Sequence, residues 1–146
     1  MWAIMGRLKR LPGVRKAGCE LMAQGKKSDA LGRVAPALLF MMRQYQKRIS
    51  MSLLATLCGM SEVNFRRVFQ TAADATPLEY LMRLRIRIAA TMLETTSRSV
   101  SDIAAETGFP TLSSFNRQFR AILASSPREW RKRDLVKWVK RGQVKW

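Results

Sequence analysis

"SEVNFRRVFQTAADATPLEY", residues 61–80, sets Phe65, Arg67 and Phe69 at alternate positions and closes on Thr76-Pro77 and an aromatic, Tyr80. The same order returns in "SSFNRQFRAILASSPREW", residues 113–130, with Phe115, Arg117 and Phe119, then Ser126-Pro127 and Trp130. The phenylalanines of each pair are four residues apart, so a helix puts them on one face, where they pack. The remaining faces of that helix are left free. In the first copy these carry Glu62, Val63, Asn64, Arg66, Arg67 and Gln70, and in the second Leu112, Ser113, Asn116, Arg117 and Arg120. Each copy then starts another helix by a mechanism legible in the residues. A hydroxyl at Thr76 or Ser126 caps it, proline takes its first position, and Glu79 or Glu129 reaches back to the cap.

Upstream of the first stretch, "SMSLLATLCGMS" (50–61) has Ser50 as a cap, Leu53, Leu54 and Leu57 on an apolar side, Gly59 where the chain must turn, and Ser61 as the next cap. A helix of about eight residues, a short turn with glycine and a second helix make a helix-turn-helix. "SVSDIAAETGFPTLSSFNRQF" (99–119) repeats it, with Ser99 and Asp102 as a capping box and Gly108 at the turn. The two alanine-to-glycine segments superpose at a shift of 49 residues and the phenylalanine triplets at 50. Between the copies runs "PLEYLMRLRIRIAATMLETT" (77–96), apolar at Leu78, Leu81, Leu84, Ile88 and Met92. As a helix from Pro77 to Glu94 it spans about 27 Å. Arg83, Arg85 and Arg87 alternate and are spread around its surface.

The expected fold is all-α, with about seven helices in two helix-turn-helix subdomains on a long linker helix. Residues 1–35, with glycines at 6, 13, 18, 25 and 32 and eight basic side chains, read as a loosely ordered basic leader, whose first 18 residues have room for a brief amphipathic helix stopped by Pro12. The globular part follows over 36–133: a first subdomain at 36–76, opening with Pro36 in a first helical turn, the linker at 77–95, and a second subdomain at 96–133. Residues 134–146 form a basic tail.

The chain holds 27 Lys and Arg against 10 Asp and Glu, a net charge of +17, distributed as +6 over 1–35, +8 over 36–133 and +3 over 134–146. Such a field attracts polyanions, either nucleic acid or an anionic membrane surface. With no histidine and only Cys19 and Cys58, there is no metal-ligand spacing, no redox pair and no nucleophile–base set. This argues against an enzyme, a metal or a cofactor. Cys58 ends an apolar helical run and reads as a small buried hydrophobe, and the absence of an expected disulfide fits a reducing cytoplasm. No run of apolar residues approaches the length of a transmembrane helix.

From about Ala37 to Arg133 the chain resembles the DNA-binding domain of the AraC/XylS family of bacterial transcription regulators. The residues that carry the resemblance are "LATLCGMS", "FRRVF", "TPLEYLMRLRIRIAATML", "VSDIAAETGF", "SSFNRQFR" and "SPREWRKR". It implies a sequence-specific, non-catalytic regulator that inserts two recognition helices into successive major-groove segments of double-stranded promoter DNA. A single chain would suffice on the DNA, RNA polymerase would be a second partner, and the bound protein would lie on the nucleoid. Position by position, it implies base contacts from Val63, Arg66 and Arg67 in the first helix and from Leu112, Ser113, Asn116 and Arg117 in the second. The 35 residues that precede the domain are too few for a sensing barrel, which resembles the stand-alone members or a shortened relative.

The chain departs from the family in having Asp74 and Ala124 where glycine usually precedes the Thr-Pro or Ser-Pro pair, and Thr111 where an acidic or small polar residue is usual. Alanine tolerates a left-handed helix end poorly, so the turn after the second recognition helix is expected to differ from the first. The competing reading is a cationic protein that binds membrane surfaces, or nucleic acid without sequence preference, through its leader and tail.

Overall fold

Among the described residues the helices gather into two clusters that share one long helix. In the computed structural model, which describes the backbone of residues 14–140 and the side chains of residues 23–133, the elements are α1 (Val14–Gln44), α2 (Met51–Leu57), α3 (Glu62–Ala73), α4 (Pro77–Thr95), α5 (Val100–Glu106), α6 (Leu112–Leu123) and α7 (Pro127–Lys140). The all-α expectation and the double helix-turn-helix on a linker helix hold among the described residues. α2–α3 and α5–α6 are the two motifs, and α4 joins them.

Two cores form, and α4 belongs to both. Val34, Ala37 and Met41 of α1, Leu54 and Ala55 of α2, Phe65 and Phe69 of α3 and Leu81 of α4 are buried together. Further along α4, Ile86, Ala89, Ala90 and Leu93 bury against Ile103, Ala104, Phe109, Phe115 and Phe119. The duplication extends to ring geometry. Phe65 and Phe69 lie 5.5 Å apart, with Tyr80 edge-on to Phe69 at 5.6 Å, while Phe115 and Phe119 lie 5.5 Å apart, with Trp130 edge-on to Phe119 at 6.0 Å. Trp130 also donates its indole N–H to Glu94 Oε1 at 2.7 Å, tying α7 to α4.

The helix starts follow the residues that announced them. Thr76 and Glu79 form a reciprocal box: the Glu79 N–H donates to Thr76 Oγ1 at 3.2 Å and the Thr76 N–H donates to Glu79 Oε2 at 2.8 Å. Ser126 and Glu129 repeat it at 3.2 and 2.9 Å. Ser99 accepts from the Asp102 N–H at 3.0 Å, half of the box expected there. Cys58 is half-buried, and burial pushes its thiol above the ordinary value, which suits packing rather than reactivity.

Four expectations need correction. Residues 14–35 are not a loose leader: they are the first two thirds of the 31-residue α1, and Ala30 and Val34 enter the first core. Single glycines are unfavourable in a helix interior. Within α1, however, Gly18, Gly25 and Gly32 recur every seven residues, close to two helical turns, so they share one face and leave the packing face to Ala30, Val34, Ala37 and Met41. Pro36 therefore lies inside α1 rather than in a first turn. The first seven residues of the basic tail continue α7 as far as Lys140, which does not conflict with its reading as a tail. Arg85 is not on the surface but buried, at 6% exposure. Ala124 takes the same left-handed conformation as Asp74, with φ 52° and ψ 28° against φ 51° and ψ 27°, so the two helix ends do not differ. The short amphipathic helix expected before Pro12 lies outside the described residues.

Candidate nucleic-acid interface

α3 and α6 start alike. Ser61 Oγ accepts from the Asn64 N–H at 3.3 Å, and Thr111 Oγ1 accepts from the Ser114 N–H at 3.1 Å. The hydroxyl therefore serves at Thr111 as a cap. Burying Phe65, Val68, Phe69 and Ala72 in α3, and Phe115 and Phe119 in α6, fixes the rotation of each helix about its axis. The opposite faces point to solvent. All seven residues singled out from the sequence, Val63, Arg66, Arg67, Leu112, Ser113, Asn116 and Arg117, are exposed on the N-terminal halves of these two helices. Val63 is 82% exposed, a position that no core requirement explains.

The two faces are prepared differently. In α3, Arg66 Nη2 lies 3.6 Å from Glu62 Oε2 one turn back, and Arg67 Nη2 donates to Asn64 Oδ1 at 3.0 Å. In α6 the equivalent positions are Asn116 and Arg117, whose side chains have no hydrogen-bond or ion-pair partner among the described residues. Below them lies a groove of about 760 Å³, lined by Leu112, Asn116, Arg117 and Arg120 of α6, Arg128 at the start of α7, and Val100. Three guanidinium groups beside a helix N-terminus favour an anion. Arg128 was missed in the sequence because it sits inside a helix-start motif. A signal was available: a cation in a first turn opposes the helix dipole, so its position needs a reason other than helix stability.

The carboxylates of the two capping boxes are committed to helix starts. Hydrogen bonds from the Thr76 backbone and hydroxyl hold Glu79 below the usual glutamate value, and those of Ser126 do the same for Glu129. Both remain ionised as caps. No group of three or more His, Cys, Asp or Glu side chains that would hold a metal ion occurs among the described residues, nor any helix long and apolar enough to cross a membrane.

A family model described as a helix-turn-helix domain matches residues 54–133, from α2 into α7. The regulatory protein SoxS of Salmonella typhimurium is 32% identical over 85 residues, which cover 58% of this chain and 79% of SoxS. A transcriptional regulator of Chromobacterium violaceum, described as AraC-type, superposes with a TM-score of 0.69 at 24% identity, covering 73% of this chain and 96% of that one. The chain belongs to the AraC family of helix-turn-helix regulators. It carries that family's DNA-binding domain. The DNA-binding domain of AdpA, solved in complex with a target DNA, matches at 27% identity and a TM-score of 0.67, over 76% of this chain and 97% of that one. Longer curated relatives are matched over only part of their length, 34% and 26% for two regulators that are each 33% identical to this chain.

Proposed function

We propose that the chain regulates transcription by seating α3 and α6 in successive major-groove segments on one side of double-stranded promoter DNA. The observation that carries this reading is the paired exposure of two equivalent helix faces, each fixed in rotation by its own buried phenylalanine pair and both mounted on α4. In complexes of this motif, paired recognition helices sit about 34 Å apart, one turn of the duplex. α4, with 19 residues, is about 28 Å long and suits that span.

Within this reading each face has its own chemistry. Arg66, Arg67 and Arg117 pair with guanine edges, Asn116 with adenine, and Val63 and Leu112 meet thymine methyl groups, with Ser113 adaptable to either base edge or backbone. The sequence-independent share of the affinity comes from the basic field and from the Arg120–Arg128 groove, placed for backbone phosphate. AdpA, a relative of similar fold, is described with a target DNA, which supports the same partner here. One chain offers both faces, so a monomer suffices on the DNA, and RNA polymerase is the second partner that regulation requires.

Selection of bound duplexes from a random pool tests the reading. The expected result is an enriched site with two short conserved blocks about one helical turn apart, protected by one chain per duplex. Retention of duplexes without any enriched sequence at moderate salt would overturn it.

A further inference from the structure

We infer that Arg85, Gly108 and the turn at residues 45–47 form a latch that locks the two heads at one mutual angle and so sets the half-site spacing the protein accepts. The inference deepens the DNA-binding reading above and rests on it for its functional half; its structural half stands alone.

Arg85 sits where α4 passes from one core to the other, between Leu81 and Leu84 on one side and Ile86 and Ala89 on the other. Its Nε donates to the Tyr45 carbonyl at 2.7 Å and its Nη2 to the Lys47 carbonyl at 2.9 Å. These carbonyls follow the C-terminal end of α1, where unpaired backbone oxygens and the helix dipole present negative charge. Burial pulls the guanidinium below its ordinary value, yet no carboxylate pairs with it among the described residues. A buried cation satisfied only by backbone oxygens is a poor device for stability, since an apolar side chain of similar volume fills such a place at less desolvation cost. What the planar fork adds is direction: two carbonyls two residues apart are held to one orientation of α4.

The residue between them is gripped from the other head. Gly108, at the turn of the second motif with φ +88°, lies so close to Gln46 that a β-carbon there would stand 2.7 Å from the Gln46 carbonyl oxygen and 3.1 Å from its carbonyl and α-carbons. Gly59, the equivalent glycine of the first motif, also has positive φ, but nothing lies within 4 Å of its β-carbon position. The motif itself therefore demands only a left-handed turn. The bare backbone at 108 is demanded by the contact with Gln46, which joins the heads directly and independently of α4. Three successive residues of one loop are thus held by two elements, so rotation of one head against the other must break at least one of these contacts.

The test compares the full chain with Arg85→Met, which keeps the bulk but not the fork, and with Gly108→Ala, which pushes on Gln46 while leaving Arg85 in place. The first readout needs no DNA: spin labels at Thr71→Cys on α3 and Ser101→Cys on α5, with Cys19 and Cys58 replaced by alanine, report the distance between heads. A single narrow distribution is expected for the parent and a broadened or displaced one for both variants, with the helical circular dichroism retained. An unchanged distribution in Arg85→Met overturns the latch. If that variant fails to fold, Gly108→Ala decides the matter by the same criterion.

The second readout uses the selected duplex and copies with one base pair inserted or removed between its blocks. The parent should prefer the selected spacing by about tenfold, as expected when a second contact depends on effective concentration. Arg85→Met should bind an isolated half-site as the parent does but lose most of that preference. A variant that keeps the full spacing preference refutes the functional half. A parent indifferent to the insertion or removal refutes the functional half as well, whereas a parent that binds the selected duplex no better than a random one refutes the DNA-binding reading instead and leaves the distance measurement to judge the latch.

Discussion

Replacing Ala124 by glycine should stabilise the protein, although it removes a methyl group from the end of a helix. Ala124 ends α6 at φ 52° and ψ 28°, where the β-carbon of an L-residue crowds the backbone. That conformation costs about 1–2 kcal/mol relative to a right-handed residue. Glycine removes the cost but adds about 0.4–1 kcal/mol of unfolded-chain entropy to be overcome. Ala124 is exposed, so its methyl contributes little burial, and its N–H keeps its bond to the Arg120 carbonyl at 2.9 Å. At mid-range values, about 1.5 against about 0.7, the balance is a gain of about 0.8 kcal/mol, which at a slope of about 1.5 kcal/mol per molar raises the urea midpoint by roughly 0.5 M.

The matched control is Asp74→Gly, because Asp74 ends α3 in the same conformation. Aspartate tolerates left-handed backbone better than alanine does, and this one also pairs with Lys27 of α1. Glycine there removes less strain and one exposed ion pair, a contribution of no more than about 1 kcal/mol, so the midpoint should stay level or fall. Urea unfolding followed by helical circular dichroism, with the slope checked for constancy, reads both variants. An unchanged or lowered midpoint for Ala124→Gly, or an equal rise for Asp74→Gly, would show that left-handed strain is not what separates these sites.

Three further outcomes are expected. Phe119→Ala should cost about 3–5 kcal/mol of unfolding free energy, since Phe119 is fully buried between Phe115 and Trp130, and the same urea experiment measures it. Arg117→Ala should weaken binding to the selected duplex by about 1–3 kcal/mol and flatten preference at one or two base pairs, measured by fluorescence anisotropy; an equal loss on random DNA would assign Arg117 to phosphate. Glu79 and Glu129 have folded values below their unfolded ones, so their stabilising effect is complete at neutral pH and is lost as pH falls from about 4.3 through the folded values. The double variant Glu79→Gln, Glu129→Gln keeps an oxygen acceptor without the titration, so its thermal midpoint should fall less steeply below about pH 5 than the parent's.

The parts of this molecule that were legible in the sequence are those whose cause is local. Phenylalanines four apart, a hydroxyl three residues before a glutamate and a proline in a first turn each act within one or two helical turns, and the structure shows them acting so. What escaped has its cause at a distance. Arg85 is satisfied by carbonyls 38 and 40 residues away, and a backbone oxygen leaves no mark in a sequence. α1 was hidden because its glycines are individually unfavourable; it persists because Ala30, Val34, Ala37 and Met41 have a core to enter, and that benefit is tertiary. Ala124 shows the reverse error. The local cost was read correctly, yet the fold imposes the conformation regardless, since the capping box of α7 begins two residues later.

α4 is misdescribed if it is thought of as a spacer. An isolated helix of 19 residues is marginal in water, and its straightness alone would not hold two heads in register. Here its first half buries Leu81 in the core that holds Met41, Leu54 and Phe69, and its second half buries Ile86, Ala89, Ala90 and Leu93 with Ile103, Phe115 and Phe119. The separation of the heads is therefore a property of two packed cores rather than of one rod. Damage to either core should change the geometry of the other head as well as the stability of its own, which ties binding affinity to packing far from any base. On this view the loop at 45–47 is a place where the two heads meet without sharing a helix. A latch there removes the last freedom that burial along α4 leaves, rotation about the helix axis.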